Sequence, residues 1–230
     1  MPSHPLKLIS SMAPRELLAE LASRYQRASA QAVATEAAGG VDVAKRVQAG
    51  EAVDVVVLAS DAIDRLMAGS RLIAGSRVDL FRSPIAAAVK AGNVAPDLST
   101  EETTRDAVLA AKSLSFSSGP SGVYLEKMFE RWGILDTIRS RIVVPPPGVP
   151  VGSLVADGSV ELGFQQLSEL ANLAGIAVVG PLPPGIQSIT TFSGAIAARC
   201  DMPEAARALL AFMASPDASA VKQRHGMDAA

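Results

Sequence analysis

The stretch VDVVVLASDAIDRLMAG, residues 53–69, indicates the fold class. It begins with a continuous Val/Leu run, which is typical of a parallel strand buried on both faces of a sheet. Ser60 follows as a predicted helix cap, and Ile63, Leu66 and Met67 then recur at helical spacing. A strand that leads directly into an amphipathic helix is the repeating unit of an α/β protein.

The same alternation of strand and helix continues along the chain. Further strands are predicted at residues 6–10, 32–36, 84–90, 113–117, 141–144, 160–164, 176–179 and 187–199. The segments between them are mostly helical in pattern, and one helix, at 101–111, is predicted to begin with a capping box of Ser99 and Glu102. We therefore expect mostly parallel sheets flanked by helices.

The chain of 230 residues is long enough for two lobes of about 100 residues each. No internal repeat and no flexible linker is found, so two lobes would have to be joined by crossing strands. The segment after Arg82 and the long strand pattern at 187–199 fit such crossings. We expect one lobe from residues 1–82 and 190–230 and a second from residues 83–189.

The composition argues against several classes of partner. The formal net charge is −2 and charged residues make up 19%, so no basic field attracts nucleic acid or an anionic membrane. Aromatic residues make up only 4%, which disfavours a base-stacking platform. No run of 18 apolar residues predicts a membrane span. We expect a monomer whose partner is a small molecule.

Few residues could bind a metal ion or form a disulfide. With one cysteine, Cys200, no intramolecular disulfide can form, and the two histidines, His4 and His225, lie near the termini. No Cys/His spacing suits zinc, so neither a metal nor another cofactor is predicted. We expect Cys200 to be a buried or inert thiol and both histidines to lie at the surface.

The beginning of the chain bears on its compartment. The sequence MPSHP leads directly into a strand pattern, without the cationic and long apolar regions of a signal peptide. As it stands the sequence predicts a cytoplasmic protein, or a periplasmic one from which a signal peptide has been removed.

Small polar residues follow several of the predicted strands. In open α/β sheets ligands bind beyond the carboxyl ends of the strands, where main-chain N–H groups and hydroxyls at helix starts can hold an anion. Such residues also serve as ordinary turn and cap residues. The candidate ligand-binding residues at these junctions are Ser10, Ser11, Gly39, Gly40, Ser121, Gly122, Gly148, Gln165 and Gln166. We expect the serines and glycines among them, from Ser11 onward, to line one cleft.

Arg82 and Ser83 complete the candidate set, at the first predicted crossing between lobes. A guanidinium pairs well with a planar carboxylate, although a surface arginine explains the position equally well. Asp54, at the start of a strand, is expected to have a structural role. The chain has no P-loop, no G-x-G-x-x-G fingerprint and no G-x-S-x-G elbow.

Three segments resemble the molybdate-binding branch of the type II periplasmic binding proteins. They are LVADGSVELGF at 154–164, EAVDVV at 51–56 and PSGVY at 120–124. The resemblance extends from about residue 6 to residue 225. It implies two α/β lobes joined by crossing strands, with an oxyanion held between them by hydroxyls and main-chain N–H groups and without metal ions.

The resemblance also implies roles for individual residues. Ser11 matches the family's first serine, Gly39 and Gly40 stand where serines are common, and Ser121 stands where alanine provides a main-chain N–H. Gly148 lies near a third main-chain donor, and Gln166 replaces a tyrosine. Two hydroxyl donors for a tetrahedral oxyanion are therefore missing, which favours a larger, flatter ligand such as a polycarboxylate.

Two functions remain open at this stage. The first is a solute-binding protein that closes on a small oxygen-rich anion and serves an ABC transporter permease. Its ligand would be a polycarboxylate or, as the alternative, a molybdate-like oxyanion, and the residues favour the polycarboxylate. The second is an isomerase that moves a proton on an unsaturated polycarboxylate, because aconitate isomerases are similar and share this fold. No His or Lys base stands at the junctions, so no catalytic residue is assigned.

Overall fold

The computed structural model describes residues 4–146 and 149–230, and it confirms the α/β class. The strands are β1 (Leu6–Ser11), β2 (Val33–Ala38), β3 (Val55–Ala59), β4 (Val78–Lys90), β5 (Leu114–Phe116), β6 (Ile142–Val143), β7 (Leu162–Gln166), β8 (Ile176–Pro181), β9 (Ile189–Ile196) and β10 (Asp228–Ala229). The helices are α1 (Arg15–Ser29), α2 (Gly40–Gln48), α3 (Ser60–Ala68), α4 (Glu101–Ala110), α5 (Pro120–Arg131), α6 (Leu135–Ile138), α7 (Val151–Asp157), α8 (Leu167–Leu170), α9 (Pro203–Ala214) and α10 (Ser219–Arg224).

The described chain divides into two compact units. Unit 1 contains the described residues up to Arg82 together with Thr190–Ala230, and unit 2 is Ser83–Ile189. Strand β4 begins in unit 1 and continues in unit 2, and the chain returns to unit 1 at the start of β9. Unit 1 is thus made from two separate segments of sequence, whereas unit 2 is one continuous segment.

In unit 1, β1 pairs in parallel with β2 and with β3, and β9 runs antiparallel to β3. The Val/Leu run of β3 is buried on both faces, as the sequence predicts. Val55 and Val57 pack into one apolar cluster with α1, α9 and α10, while Val56 and Leu58 pack into another with α2 and α3. The parallel strands therefore form the centre of a sheet covered by helices on both sides.

In unit 2, β5 pairs in parallel with β6 and β7, and β4 runs antiparallel to β7 and β8. Phe116, Phe129 and Phe164 meet at its centre, with ring centroids 5.9 Å and 6.4 Å from that of Phe129. Each unit therefore combines parallel pairs with antiparallel neighbours, and its sheet is more mixed than the expected, mostly parallel one.

The sequence prediction for the start of α4 is wrong. The capping box of α4 uses Thr100 and Thr103 in place of Ser99 and Glu102. Asp97 Oδ1 accepts a hydrogen bond from the main chain of Ser99 at 2.9 Å, which turns the chain one residue before the helix. The prediction failed because Thr100 offers a second capping hydroxyl one residue later, and Thr103 takes the place of the usual Glu or Gln.

His225 was expected at the surface, but its side chain is only 14% exposed. Its Nε2 lies 2.8 Å from Glu20 Oε2, and Arg24 and Arg224 bond the same carboxylate. These contacts lower the pKa of Glu20 to about 2, and the hydrogen bond with His225 contributes most to this shift. The cluster fixes the end of α10 to α1.

Candidate functional site

The carboxyl ends of β1, β2 and β3 lie at one edge of the unit 1 sheet, because the three strands are parallel. Ser10 and Ser11 end β1 opposite Ala37 and Ala38 of β2. The Ser10 hydroxyl donates to the carbonyl of Ser11 at 3.0 Å, so it is already engaged. Of these two serines, Ser11 is the one whose hydroxyl remains available to a ligand.

The hydroxyl of Ser11 is buried and has no hydrogen-bond partner among the described residues. It lies beside the start of α2, since a Cβ added to Gly40 would stand 3.5 Å from Ser11 Cβ. A buried hydroxyl without a partner costs about 1–3 kcal/mol, and such groups in native proteins call for an explanation. A ligand oxygen bound between Ser11 and Gly40 would supply the missing partner.

Two helices begin at this edge without help from side chains. Gly39 stands before α2 and Ala59 before α3, and neither provides a side-chain hydrogen bond to the helix start. Ser60 is therefore the first residue of α3 and not its cap, and its hydroxyl makes no hydrogen bond within the described ranges. The first N–H groups of both helices point out of the helix and carry partial positive charge, which suits an anion.

Arg82 lies on β4 at the end of unit 1, opposite Asp228 of β10. Its side chain is exposed, so water solvates its charge and no anion is needed to offset burial. The pKa of Asp79 is lowered mainly by the hydrogen bond that Ser193 donates at 2.6 Å, and the positive charge of Arg82 contributes to this shift. The structure therefore places Arg82 at the surface of unit 1.

The buried cation of unit 1 is a residue that the sequence did not single out. Lys222, on α10, is only 1% exposed. No hydrogen bond or ion pair of its ammonium group is found among residues 4–146 and 149–230. Its pKa is lowered by burial. The sequence offered no signal for it, because lysine at a helical position normally indicates an exposed face.

In unit 2, α5 begins directly after β5 with Pro120 at its first position and no side-chain cap. Ser121 and Gly122 are buried in this first turn. A Cβ on Gly122 would stand only 1.6 Å from the carbonyl oxygen of Ser117, so only glycine fits there. The helix start and the loop before it are therefore in direct contact.

The end of β7 places a buried polar network in unit 2. Gln165 is 3% exposed, and its Oε1 accepts from the N–H of Gly152 at 3.4 Å. Its Nε2 donates to Glu169 Oε1 at 2.7 Å, and Gln166 is also buried. Glu169 was not predicted as a site residue, although it stands one turn beyond the two glutamines. It is a carboxylate on α8, which directly follows β7, and a carboxylate can serve as a general base.

The other predicted site residues have different surroundings. Ser83 is fully buried, and its hydroxyl lies 3.3 Å from the main-chain nitrogen of Ser168. Gly148 lies outside the described residues, so its predicted role stays a prediction. The structure brings Ser10, Ser11, Gly39 and Gly40 together in unit 1. It places Gln165 and Gln166 beside the antiparallel strand β4 in unit 2.

Other titratable groups have structural surroundings. Asp54 accepts from the main chain of Lys7 at 2.8 Å, as expected of a structural residue. The pKa of Cys200 is raised to about 11, mainly by burial. Its thiol is therefore a poor nucleophile at neutral pH. Within the described ranges, no three His, Cys, Asp or Glu side chains are placed to hold a metal ion. None of the described helices is both long and apolar enough to cross a membrane.

Comparison with known proteins identifies the family. The model of the bacterial extracellular solute-binding proteins matches residues 6–228, so this chain belongs to that family. The predicted type II periplasmic binding fold is thereby confirmed.

Individual relatives are similar along almost the whole chain. An aconitate isomerase of Pseudomonas sp. is 36% identical over 98% of this chain and 88% of its own. The periplasmic molybdate-binding protein of Azotobacter vinelandii superposes with a TM-score of 0.80 at 20% identity, over 96% of this chain and 98% of its own. The substrate-binding domain of the putative molybdenum ABC transporter from Clostridium difficile superposes with a TM-score of 0.77 at 15% identity. The match covers 98% of this chain and 99% of that domain.

Proposed function

We propose that this solute-binding protein binds a small polycarboxylate anion. The observation that carries the proposal is the buried Ser11 hydroxyl, which has no partner in the described structure and lies beside the uncapped start of α2 at Gly40. A hydroxyl and main-chain N–H groups can each donate to an oxygen of an anion. Two comparisons support a polycarboxylate ligand: the family binds solutes, and the Pseudomonas relative is an aconitate isomerase.

The polycarboxylate is preferred to molybdate on the donors available. The molybdate-binding relatives share only the fold with this chain at 15–20% identity. Here glycines occupy positions 39 and 40, and glutamine occupies position 166. These residues offer N–H groups but not the hydroxyls expected around a tetrahedral oxyanion. Ser83, Ser121, Gly122 and Gly148 remain part of the proposed ligand-binding set.

A ligand panel tests the proposal directly. Thermal unfolding is measured with citrate, cis- and trans-aconitate, sulfate, phosphate, molybdate and tungstate, and calorimetry follows for each acid that shifts it. A ligand present at 100 times its Kd should add about 2.7 kcal/mol to the free energy of unfolding. We expect the tricarboxylates to stabilise the protein and molybdate to leave it unchanged. Tight molybdate binding without tricarboxylate binding would refute the proposal.

The second candidate function is isomerisation of an unsaturated polycarboxylate. It is favoured by the 36% identity to the aconitate isomerase and by the carboxylate of Glu169, which Gln165 holds in place. In such a reaction one base removes a proton from the methylene carbon beside a carboxylate, and the double bond shifts. A proton is then returned to the former alkene carbon, so no oxidant or cofactor is consumed.

Turnover is tested with trans-aconitate in D₂O by NMR. An isomerase would produce cis-aconitate and introduce deuterium at carbon, whereas a binding protein would do neither. We expect Glu169→Gln to stop turnover while leaving binding in place, and Glu126→Gln, on an exposed position of α5, to change neither. If the unmodified protein forms no cis-aconitate at stoichiometric concentration, the isomerase candidate is rejected. Binding alone would support a monomeric protein that delivers its ligand to an ABC transporter permease.

A further inference from the structure

Lys222 combines near-complete burial with the lack of any counter-ion in the described structure. At 1% exposure it is one of the largest fully buried side chains, together with phenylalanines and leucines. Burying an ammonium group without a paired charge costs several kcal/mol, and proteins usually avoid it or use it. Burial lowers the pKa of Lys222 for the same reason. The position therefore requires a functional explanation.

The position of Lys222 in unit 1 is fixed by the chain that follows it. Its carbonyl accepts from the N–H of Met227 at 3.0 Å, and Asp228 then pairs with Arg82 on β4. Lys222 and Arg82 therefore belong to the same end of unit 1, where the chain passes into unit 2. Helix α10 packs against α1 and β10, and α1 begins just after β1 and Ser11.

Two charged groups on neighbouring elements of unit 1 do not pair with Lys222. Glu20 of α1 is bonded by Arg24, Arg224 and His225, and Arg82 is exposed. No carboxylate of the described residues forms an ion pair with Lys222. Its Nζ is absent from the fully buried polar atoms without a partner, so the ammonium group keeps a small contact with solvent.

We propose that Lys222 is the buried cation that pairs with a carboxylate group of the ligand. This inference rests on the proposed function and adds to it the residue that supplies positive charge. The ligand then brings the counter-ion that the protein lacks, while Ser11 and the helix starts donate hydrogen bonds to its other oxygens. A neutral or cationic solute would leave the ammonium group uncompensated and would be rejected.

The substitution Lys222→Met tests this role, because it removes the charge and keeps an unbranched side chain. Thermal unfolding without ligand and calorimetry with trans-aconitate and citrate are measured on the full chain. We expect the variant without ligand to unfold at the same or a higher temperature, since a desolvated charge has been removed. We expect its affinity for the tricarboxylates to fall about 30-fold or more, as for loss of one partner of a buried charge pair.

Control variants separate this role from a structural one. Lys127→Met, at an exposed position of α5, should change neither stability nor affinity. Lys222→Gln, neutral but polar, replaces the methionine variant if the latter does not fold. Tricarboxylate binding by Lys222→Met within threefold of the unmodified protein would overturn the inference and leave the proposed function intact. Failure of the unmodified protein to bind any anion of the panel would instead refute the proposed function, and the inference with it.

Discussion

The carboxyl edge of the unit 1 sheet and the end of β7 in unit 2 carry similar residue types but differ in how they are bonded. In unit 1 the Ser11 hydroxyl is buried without a partner in the described structure, and α2 and α3 begin without side-chain caps. At the end of β7, Gln165 is bonded on one side to Gly152 and on the other to Glu169. The Ser11 hydroxyl therefore has a bond left to offer a ligand, whereas the amide of Gln165 is already bonded on both sides.

This difference separates stability from binding. Groups already bonded within the protein contribute to folding, and their removal leaves a partner unsatisfied. Groups without a partner in the folded chain contribute little to folding but are ready to bond a ligand. Substitutions in unit 2 should therefore reduce stability, while those at the unit 1 edge should reduce affinity.

The largest difference in stability is expected between substitutions of two glycines, Gly122 in the first turn of α5 and Gly40 at the start of α2. In Gly122→Ala the new Cβ would overlap the carbonyl of Ser117, which should lower the free energy of unfolding by about 3 kcal/mol, the upper end of the usual range for overpacking. In Gly40→Ala the Cβ meets Ser11 Cβ at an ordinary 3.5 Å, so stability should be retained. Chemical denaturation of both variants measures the difference. Equal losses would show that the two helix starts do not differ in packing.

Gln165→Leu and Ser11→Ala form the next pair. The first leaves Glu169 Oε1 and the N–H of Gly152 without this partner, and should lower the free energy of unfolding by about 2 kcal/mol. The second removes a hydroxyl that has no partner in the described structure, so unfolding without ligand should not become easier. Its affinity for tricarboxylates should fall by about 1.5 kcal/mol, roughly tenfold, as for a hydrogen bond to a charged group. The comparison is wrong if Ser11→Ala destabilises the protein and leaves affinity unchanged.

Acid should act on unit 1 through Glu20. Its pKa in the folded protein is about 2, below its ordinary 4.5, so it contributes stability above pH 4.5 that is lost as the pH falls towards 2. Between pH 6 and pH 2, the free energy of unfolding should fall by about 1 kcal/mol less in Glu20→Gln than in the unmodified protein. The difference is modest because the carboxylate is partly exposed. Unfolding measured from pH 6 to pH 2 on both proteins checks it. Parallel curves for the two proteins would show that the cluster with His225 does not stabilise the fold.

The smallest effect is expected at Arg82. If this residue contacts the ligand, Arg82→Ala should weaken tricarboxylate binding by up to about 1 kcal/mol, because its exposed charge is screened by water. Arg82→Lys should recover only part of the loss, since an ammonium group cannot form the planar pair. Calorimetry on both variants, set beside Lys222→Met, ranks the two cations. A larger loss at Arg82 than at Lys222 would reverse the assignment of the principal cation.

The parts of the fold that could be predicted are those encoded by nearby residues. The Val/Leu run of β3 predicts burial on both faces of a sheet, and the structure confirms it. Ser11, Gly39 and Gly40 were found because the ends of parallel strands share an edge. Each of these inferences uses residues within a few positions of one another, together with one rule of topology.

The remainder depends on contacts between distant residues. The side chain of His225 is largely buried because Glu20, some two hundred positions earlier in the sequence, lies against it. Lys222 is buried because α10 packs against α1 and β10, and nothing in the local pattern around residue 222 distinguishes it from an exposed lysine. Glu169 was missed for a different reason, since the search for a base considered histidine and lysine and not carboxylates.

The division of unit 1 into two segments of sequence also sets the order in which the molecule can form during synthesis. Residues 83–189 leave the ribosome as one continuous piece that contains all of unit 2. The residues before them are made earlier, yet their sheet lacks β9 and their apolar surface lacks α9 and α10 until residues 190–230 follow. Domains fold as units as they emerge. The middle of the chain can therefore complete its fold first, whereas the apolar face with Val55 and Val57 has α1 but lacks α9 and α10 until the last segment is made.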